Sequence, residues 1–395
     1  MPPSITVVGL GSGGEDQLTL GALKALEQSA YRYVRTADHP AVADLRRRAI
    51  EFQSFDALYE RHSSFDEVYE SIAAALMDAA ANHPDDNVLY AVPGHPMVAE
   101  RTVQILRWRA PERGIELKLL GGQSFLDQAF ISLGFDPIEG FQMLDAAELK
   151  REHIRPRLHT VIGQVYDAFT ASEVKLTLMN IYPDDYLITV GQSLGVPGKE
   201  SVRQIPLHEL DRLESYGNLM LVHIPASADE RLRRRSFERL HEIVTILRSP
   251  DGCPWDREQT HLSIRKNFIE ETYEAIEALD NDDPDNMKEE FGDVILQVLL
   301  HSQMEEETGT FDVYDVLAEL NDKLIFRHPH VFGGENAQDA EEALKNWEQM
   351  KAEEKRRKGV PERTSILDGI PKDLPALPRA HKQQKKSCRS RLRLA

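Results

Sequence analysis

Five carboxylates spaced along one stretch of the chain set the first chemistry to consider. Glu270, Glu271 and Glu274 are followed, after a spacer, by Glu290 and Asp293. Residues three apart on a helix share a face, so Glu271 lies beside Glu274 and Glu290 beside Asp293. Between the pairs runs Asp280-Asn281-Asp282-Asp283-Pro284, a turn with an Asp cap and a proline suited to a helix start. The midpoint of 271 and 293 is 282, and so is that of 274 and 290. An antiparallel helix hairpin pivoting there sets Glu271 level with Asp293 and Glu274 level with Glu290. Packed helices lie ~8–10 Å apart, and each pair spans ~4.5 Å along its axis. Four carboxylates then converge on one cavity. Anions that close repel unless a cation binds them. All-oxygen ligands without His or Cys select Mg2+, with Mn2+ as the other candidate. Mg2+ held by carboxylates is the usual device for handling phosphate chains. The other reading is a solvated acidic face with no metal. The shared midpoint and the apolar residues interleaved with the acids count against it. Glu270 and Glu277 fall to an outer or solvent-facing position.

Other residues could serve the same chemistry. Lys323 and Arg327 are i,i+4 on one helix face and are candidates to clamp phosphate oxygens; an exposed basic pair is the alternative. Trp347 is either a base-stacking platform or a core residue. His328 and His330 flank a proline at a helix end and read as structural, and Trp255 reads as a plug at the end of the first helix pair. Cys253 has no charged neighbour that would mark a reactive thiol.

A second kind of chemistry is signalled near the N-terminus. The apolar run Ile5–Val8 ends in Gly9-Leu10-Gly11-Ser12-Gly13-Gly14, with Thr19 just before a helical stretch. Turns of this kind let a ligand approach the backbone closely. Two more follow apolar runs: Pro93-Gly94-His95-Pro96 after Val88–Val92, and Gly121-Gly122-Gln123-Ser124 after Leu117–Leu120. Ligands in α/β folds bind at the C-terminal ends of strands, where all three turns sit.

The elements that must position these groups differ between the two halves. Up to about residue 225, short apolar runs alternate with helical stretches, and later strands are expected at Leu187–Val190 and Leu219–Val222. That alternation predicts α/β layering. From about Ala226 the apolar period is 3.6 throughout, as in Leu240, Ile243, Val244 and Leu247 or Phe291, Val294, Ile295 and Val298. The expected organisation is an α/β domain over 1–225, an all-α domain over 226–378 and a basic tail over 379–395. The chain has 395 residues, which suits two or three domains.

Composition narrows the partners. The formal charge is −19, and residues 265–350 alone hold 23 acidic against 6 basic side chains. Such a chain is poorly suited to gripping nucleic acid. Two distant cysteines exclude a disulfide scaffold and fit a reducing compartment. No apolar run approaches the ~20 residues a membrane helix needs, and no signal-peptide pattern is seen. A cytoplasmic protein without membrane or nucleic-acid partners is expected.

The acidic motif and its surroundings resemble a known family. Glu270-Glu271-x-x-Glu274 and Glu290-x-x-Asp293 occur with Gly252-Cys253-Pro254-Trp255-Asp256, with Lys323 through Phe332, and with Trp347-Glu348-Gln349-Met350-Lys351. Together they resemble the all-α MazG-type nucleoside triphosphate pyrophosphohydrolases over about 236–386. The resemblance implies hydrolysis of nucleoside triphosphates to monophosphate and pyrophosphate. It implies Glu271, Glu274, Glu290 and Asp293 as metal ligands, with Glu270 as the candidate proton acceptor. Lys323, Arg327, Trp347 and Lys351 become the candidate substrate contacts. Long apolar stripes that one copy can hardly bury suggest at least a homodimer.

The glycine-rich turns resemble, over about 4–224, the tetrapyrrole methylases, two-lobed enzymes that use S-adenosylmethionine. The closest likeness is to the variety fused ahead of a MazG domain. A cofactor cleft lined by Gly9, Gly11, Pro93, Gly94 and Ser124 is implied. The chain departs from the family where Gly94-His95-Pro96 replaces Gly-Asp-Pro and where Gly11-Ser12-Gly13-Gly14-Glu15 replaces Gly-Pro-Gly-Asp-Pro. Cofactor binding is therefore the expectation, with methyl transfer as main activity or a non-catalytic sensor role as alternatives. Beyond Gly369-Ile370-Pro371, which resembles the link to a second MazG copy, the chain carries seven Lys/Arg and no acid from Arg379 onward. The codons of Arg391–Leu394, read one base later, can spell the Gly-Phe-Asp-Trp with which the family continues. A frameshifted remnant is expected, with a genuine basic tail as the alternative.

Overall fold

The computed structural model describes residues 2–196, 198–217, 219–334, 336–337, 339–359, 369–371 and 374–391. The near-continuous apolar run of β1 (Ser4–Gly9) is what a strand covered on both faces requires. Tertiary contacts divide the chain into two units, Met1–Arg239 and Leu240–Ala395.

The first unit has two lobes. In the first, α1 (Leu20–Gln28), β2 (Tyr31–Val34), α2 (Pro40–Arg47), β3 (Gln53–Ser54), α3 (Asp56–Arg61), α4 (Phe65–Asn82), β4 (Asn87–Val92), α5 (Arg101–Glu112) and β5 (Glu116–Leu120) follow β1. The strands form a parallel sheet in the order β3-β2-β4-β1-β5. One face is covered by α4 and α5 through Val68, Ile72, Leu76, Val103 and Leu106. The other is covered by α1 and α2 through Ala22, Leu26, Val42 and Leu45. Full burial of each such side chain contributes about 1.5–3 kcal/mol.

The second lobe contains α6 (Phe125–Leu133), β6 (Phe141–Asp145), β7 (His159–Gly163), α7 (Ala168–Leu178), β8 (Leu187–Gln192), β9 (Ser201–Pro206) and β10 (Met220–Ile224). Its sheet runs β6-β7-β10-β8-β9, parallel only between β6 and β7. Ala171, Val174 and Leu178 of α7 pack on one face, together with Leu232 from the segment after β10. Ala129 of α6 and Phe135 pack with Val161 and Leu221.

From α8 (Phe237–Arg248) onward the described residues contain no strand. There follow α9 (Pro254–Glu258), α10 (Arg265–Asp280), α11 (Pro284–Thr308), α12 (Val313–Arg327), α13 (Pro329–Phe332), α14 (Ala340–Arg357) and α15 (Ala376–Arg391). The expected α/β and all-α classes are both present. Trp255 differs from its expected role: on the short α9 it is 58% exposed and plugs nothing.

Candidate metal centre and glycine-rich turns

The hairpin of α10 and α11 turns through Asn281, Asp282 and Asp283. Asp282 takes a left-handed backbone, φ 51°. The Asp283 carboxylate accepts from the Asn286 N–H at 3.2 Å and caps α11, whose first residue is Pro284. The two helices therefore run antiparallel from that turn. Glu271, Glu274 and Glu290 each offer a carboxylate oxygen within 4.8 Å of the other two. Among the described residues no other group of three or more potential metal ligands is this close.

Asp293 lies outside that tight trio but within its field. Desolvation pushes the Glu271 carboxyl above its ordinary range, and Asp293, Glu274 and Glu290 push it further. Desolvation also raises Glu290, followed by the charges of Glu274, Asp293 and Glu289. The strongest charge acting on Glu271 is that of Asp293, and on Glu290 that of Glu274. These are the level pairs of a hairpin centred on residue 282. Carboxylates crowded this closely form a donor set that fits a hard divalent cation, because binding cancels the repulsion. Glu270 is exposed beside Glu271 and outside the trio.

The candidate substrate contacts are distributed differently. Arg327 donates to Glu354 through Nε and Nη2 at 2.8 Å, with both side chains largely buried. Its guanidinium lies 5.4 Å from the Trp347 ring centroid, and the Lys351 Nζ lies 4.6 Å from the same ring. Arg327, Trp347 and Lys351 thus come together as a brace between α12 and α14, with the Arg327 fork engaged by a carboxylate. Lys323, one turn earlier on α12, is half-buried, and its charge bears on Glu319. His328 binds the Leu324 carbonyl through Nδ1 at 2.6 Å, which closes the end of α12.

In the first unit, the glycine-rich turns meet each other. A Cβ on Gly9 would lie 2.3 Å from the Gly94 carbonyl oxygen and 2.9 Å from Gly122 Cα, so only glycine permits this approach. Gly94 N–H donates to the Gly11 carbonyl at 2.7 Å. The buried Gln17 side chain closes the turn: its Oε1 accepts from Ser12 N–H at 2.9 Å and Gly13 N–H at 2.7 Å. Its Nε2 donates across to the Gly195 carbonyl of the second lobe at 3.2 Å. Ser124 caps α6, accepting from Leu126 N–H at 2.8 Å. Gly9, Gly11 and Ser124 are therefore engaged in packing and capping, whereas a Cβ at Gly94 would meet open space. A groove of about 480 Å³ lies alongside, lined by Thr19, Gly21, Leu120, Gly122, Gln123 and Asp127. The turns fit a cofactor by the shape of their open edge; the donors of the Ser12–Gly13 turn are already used.

Two groupings escaped the sequence reading. Gln17 gave no signal beyond lying close to a glycine-rich turn. His261 meets His301 Nδ1 to Nδ1 at 2.7 Å and Glu305 at 3.0 Å. Its only sequence trace is His301 and Glu305 at i,i+4 on α11.

Comparison with known proteins gives two family matches. Residues 4–211 match the tetrapyrrole (corrin/porphyrin) methylases, and residues 259–332 match the MazG nucleotide pyrophosphohydrolase domain. A Bacillus subtilis protein, "Uncharacterized protein YabN", is 48% identical over 385 residues, 98% of this chain and 77% of that protein. A nucleoside triphosphate pyrophosphohydrolase of Escherichia coli K12 is 46% identical over 151 residues, 38% of this chain and 56% of the relative. The chain thus spans little more than half the length of that relative. Among solved structures, a uroporphyrin-III C-methyltransferase from Thermus thermophilus aligns with 23% identity and a TM-score of 0.44, covering 57% of this chain and 93% of its own.

Proposed function

Because the chain belongs to the tetrapyrrole methylase family and carries a MazG domain behind that fold, we propose that its C-terminal unit hydrolyses nucleoside triphosphates to nucleoside monophosphate and pyrophosphate. The observation that carries this reading is the carboxylate trio, Glu271, Glu274 and Glu290, with Asp293 in its field. Glu271, Glu274, Glu290 and Asp293 would hold Mg2+, or Mn2+ in its place. When bound, such a cation supplies charge neutralisation and Lewis acidity toward the triphosphate. Glu270, exposed beside the trio, accepts the proton of the attacking water. Lys323 adds positive charge for the phosphates, while Arg327, Trp347 and Lys351 shape the α12–α14 side. Water adds at phosphorus, the α–β phosphoanhydride breaks, and pyrophosphate leaves.

The same unit is read as a homodimer. Ile269, Tyr273, Ile276 and Leu279 of α10 are each 43–53% exposed, as are Phe291 and Ile295 of α11 at 44%. An apolar stripe of that kind is what a second copy would cover. The first unit is read as binding S-adenosylmethionine at the edge formed by Pro93 and Gly94. The engagement of the Ser12–Gly13 turn by Gln17 favours, as a second reading, a ligand sensor without turnover. No helix among the described residues is long and apolar enough to cross a membrane, and we place the activity in the cytoplasm.

The test is a panel of ordinary and modified nucleoside triphosphates, with and without Mg2+, with products identified. Mg2+-dependent pyrophosphate release is expected; orthophosphate release rejects the bond assignment. Calorimetry with S-adenosylmethionine and its demethylated product tests the first unit. Heat of binding without methyl transfer selects the sensor reading.

A further inference from the structure

At the C-terminal end of β2 a charged side chain is built into the first lobe. Arg35 follows Val34 and pairs with Glu100, whose side chain is only 3% exposed. Arg35 Nε donates to the Tyr59 hydroxyl at 3.0 Å. Burial opposes the Arg35 charge, but Glu100 and Tyr59 more than offset it. Burial raises the Glu100 carboxyl, and Arg35 pulls it back. A buried ion pair is a poor source of net stability. Its presence here asks for another reason.

The unspent groups supply one. Two of the five guanidinium N–H groups are used, and the other three have no hydrogen-bond partner among the described residues. The side chain keeps 26% of its surface exposed. The Tyr59 hydroxyl accepts from Arg35 and keeps its own proton to donate. The Tyr69 hydroxyl, within electrostatic reach of Arg35, has no partner among the described residues. Tyr166 of the second lobe also feels the Arg35 charge; its hydroxyl is engaged by Gln164, which in turn binds Asp145. Thus three Arg35 N–H groups and the Tyr59 and Tyr69 hydroxyl protons are available to donate. Phe65, stacked 6.3 Å from Tyr69 and 69% exposed, continues an aromatic rim. Backbone strain lies on both sides, with Ala99 at φ 55° before Glu100 and Gln164 at φ 65°. Such strain gathers at functional sites.

We propose that Arg35, Tyr59 and Tyr69 form a subsite for an aromatic carboxylate, distinct from the glycine-rich turns and independent of methyl transfer. A carboxylate matches the planar fork of arginine. Glu100 already neutralises one charge and Asp145 stands nearby, so a monoanion suits the site better than a phosphate dianion. The ligand ring rests against the tyrosine and Phe65 rim.

The test uses the full chain and isothermal calorimetry with 2-naphthoate, 2-naphthamide and inorganic phosphate. Saturable naphthoate binding is expected, with the amide and phosphate each weaker by about tenfold or more. Arg35→Lys keeps the charge but loses the fork, and weakens naphthoate about tenfold while leaving naphthamide unchanged. Tyr69→Phe, which leaves the ion pair intact, weakens it about threefold with an unchanged melting temperature. Equal binding of naphthoate and naphthamide overturns the proposal, as does absence of naphthoate binding. Phosphate binding as tight as naphthoate overturns the carboxylate assignment. If Arg35→Lys fails to fold, Tyr69→Phe decides alone: wild-type affinity in that variant rejects the site.

Discussion

The two units spend their polar and apolar groups in opposite ways. In the first, N–H groups of a glycine-rich turn are bound by Gln17, and large side chains such as Ile72, Leu76 and Leu106 are fully buried. In the second, three carboxylates crowd one another, and α10 and α11 keep an apolar stripe nearly half exposed. At that turn and in that core the first unit meets its own demands. The second is a set of unmet demands, one for positive charge and one for an apolar cover. Where a chain leaves such demands open, the ligand or partner is part of its energetics.

The sharpest break of this contrast is Glu274→Gln. If the trio is a metal site, pyrophosphate release should fall by roughly a hundredfold or more. Metal-free melting should hold or rise, because one repelling charge is gone. Glu277→Gln should stay within a few-fold of wild type. Near-normal turnover in the Glu274 variant would mean that the second unit has no unmet charge. Next comes the apolar demand: Ile276→Asp should convert dimer to monomer in sedimentation at micromolar concentration, with helix content retained. A wild type that sediments as a monomer removes that half of the comparison.

Two smaller effects probe the closed character of the first unit. His223 is buried against Phe135, His159 Nδ1 lies 3.0 Å from its Nε2, and burial followed by the His159 charge depresses its pKa to about 4. The unfolded chain takes up this proton below pH ~6.5, while the folded chain resists until about 4. The contribution is therefore full above pH ~6.5 and is lost as pH falls toward 4, at most about 3 kcal/mol. Melting between pH 7.5 and 4.5 should fall less steeply in His223→Leu; parallel curves would show that this histidine does not report closure. Gln17→Ala strips the Ser12 and Gly13 N–H groups of their acceptor and should cost about 2 kcal/mol in urea unfolding. An unchanged midpoint would mean that water replaces the amide, and that the turn is open to ligand after all.

What could be read in advance followed the range of the interactions. Strands β1, β4, β5, β8 and β10 are dominated by apolar residues and were visible. Strands β2, β6, β7 and β9 were not; Tyr31-Arg32-Tyr33-Val34 and Ser201-Val202-Arg203-Gln204, for example, mix charge and polarity with their apolar residues. The two-residue β3 is too short to leave a pattern. The carboxylate trio was legible because i,i+3 spacing and a short hairpin are local. Arg35 with Glu100 joins positions 65 apart, and Gln17 with Gly195 joins positions 178 apart. No periodicity records such pairs. Arg327 illustrates the same limit: its helix face was readable, but not its engagement by Glu354 on a later helix.

The turn at Asn281–Asp283 carries a consequence for how the sequence can drift. Surface loops ordinarily absorb insertions and deletions at little cost. Here the link is three residues long, with one of them already left-handed, and it sets the phase between two helices. A residue added or removed within α11 before Glu290 would rotate the rest of that helix by about 100° and carry Glu290 and Asp293 away from their partners. Length at this stretch is therefore under tighter restraint than residue identity. Descendants of this chain should vary in the side chains at 285–289 more readily than in the number of residues there.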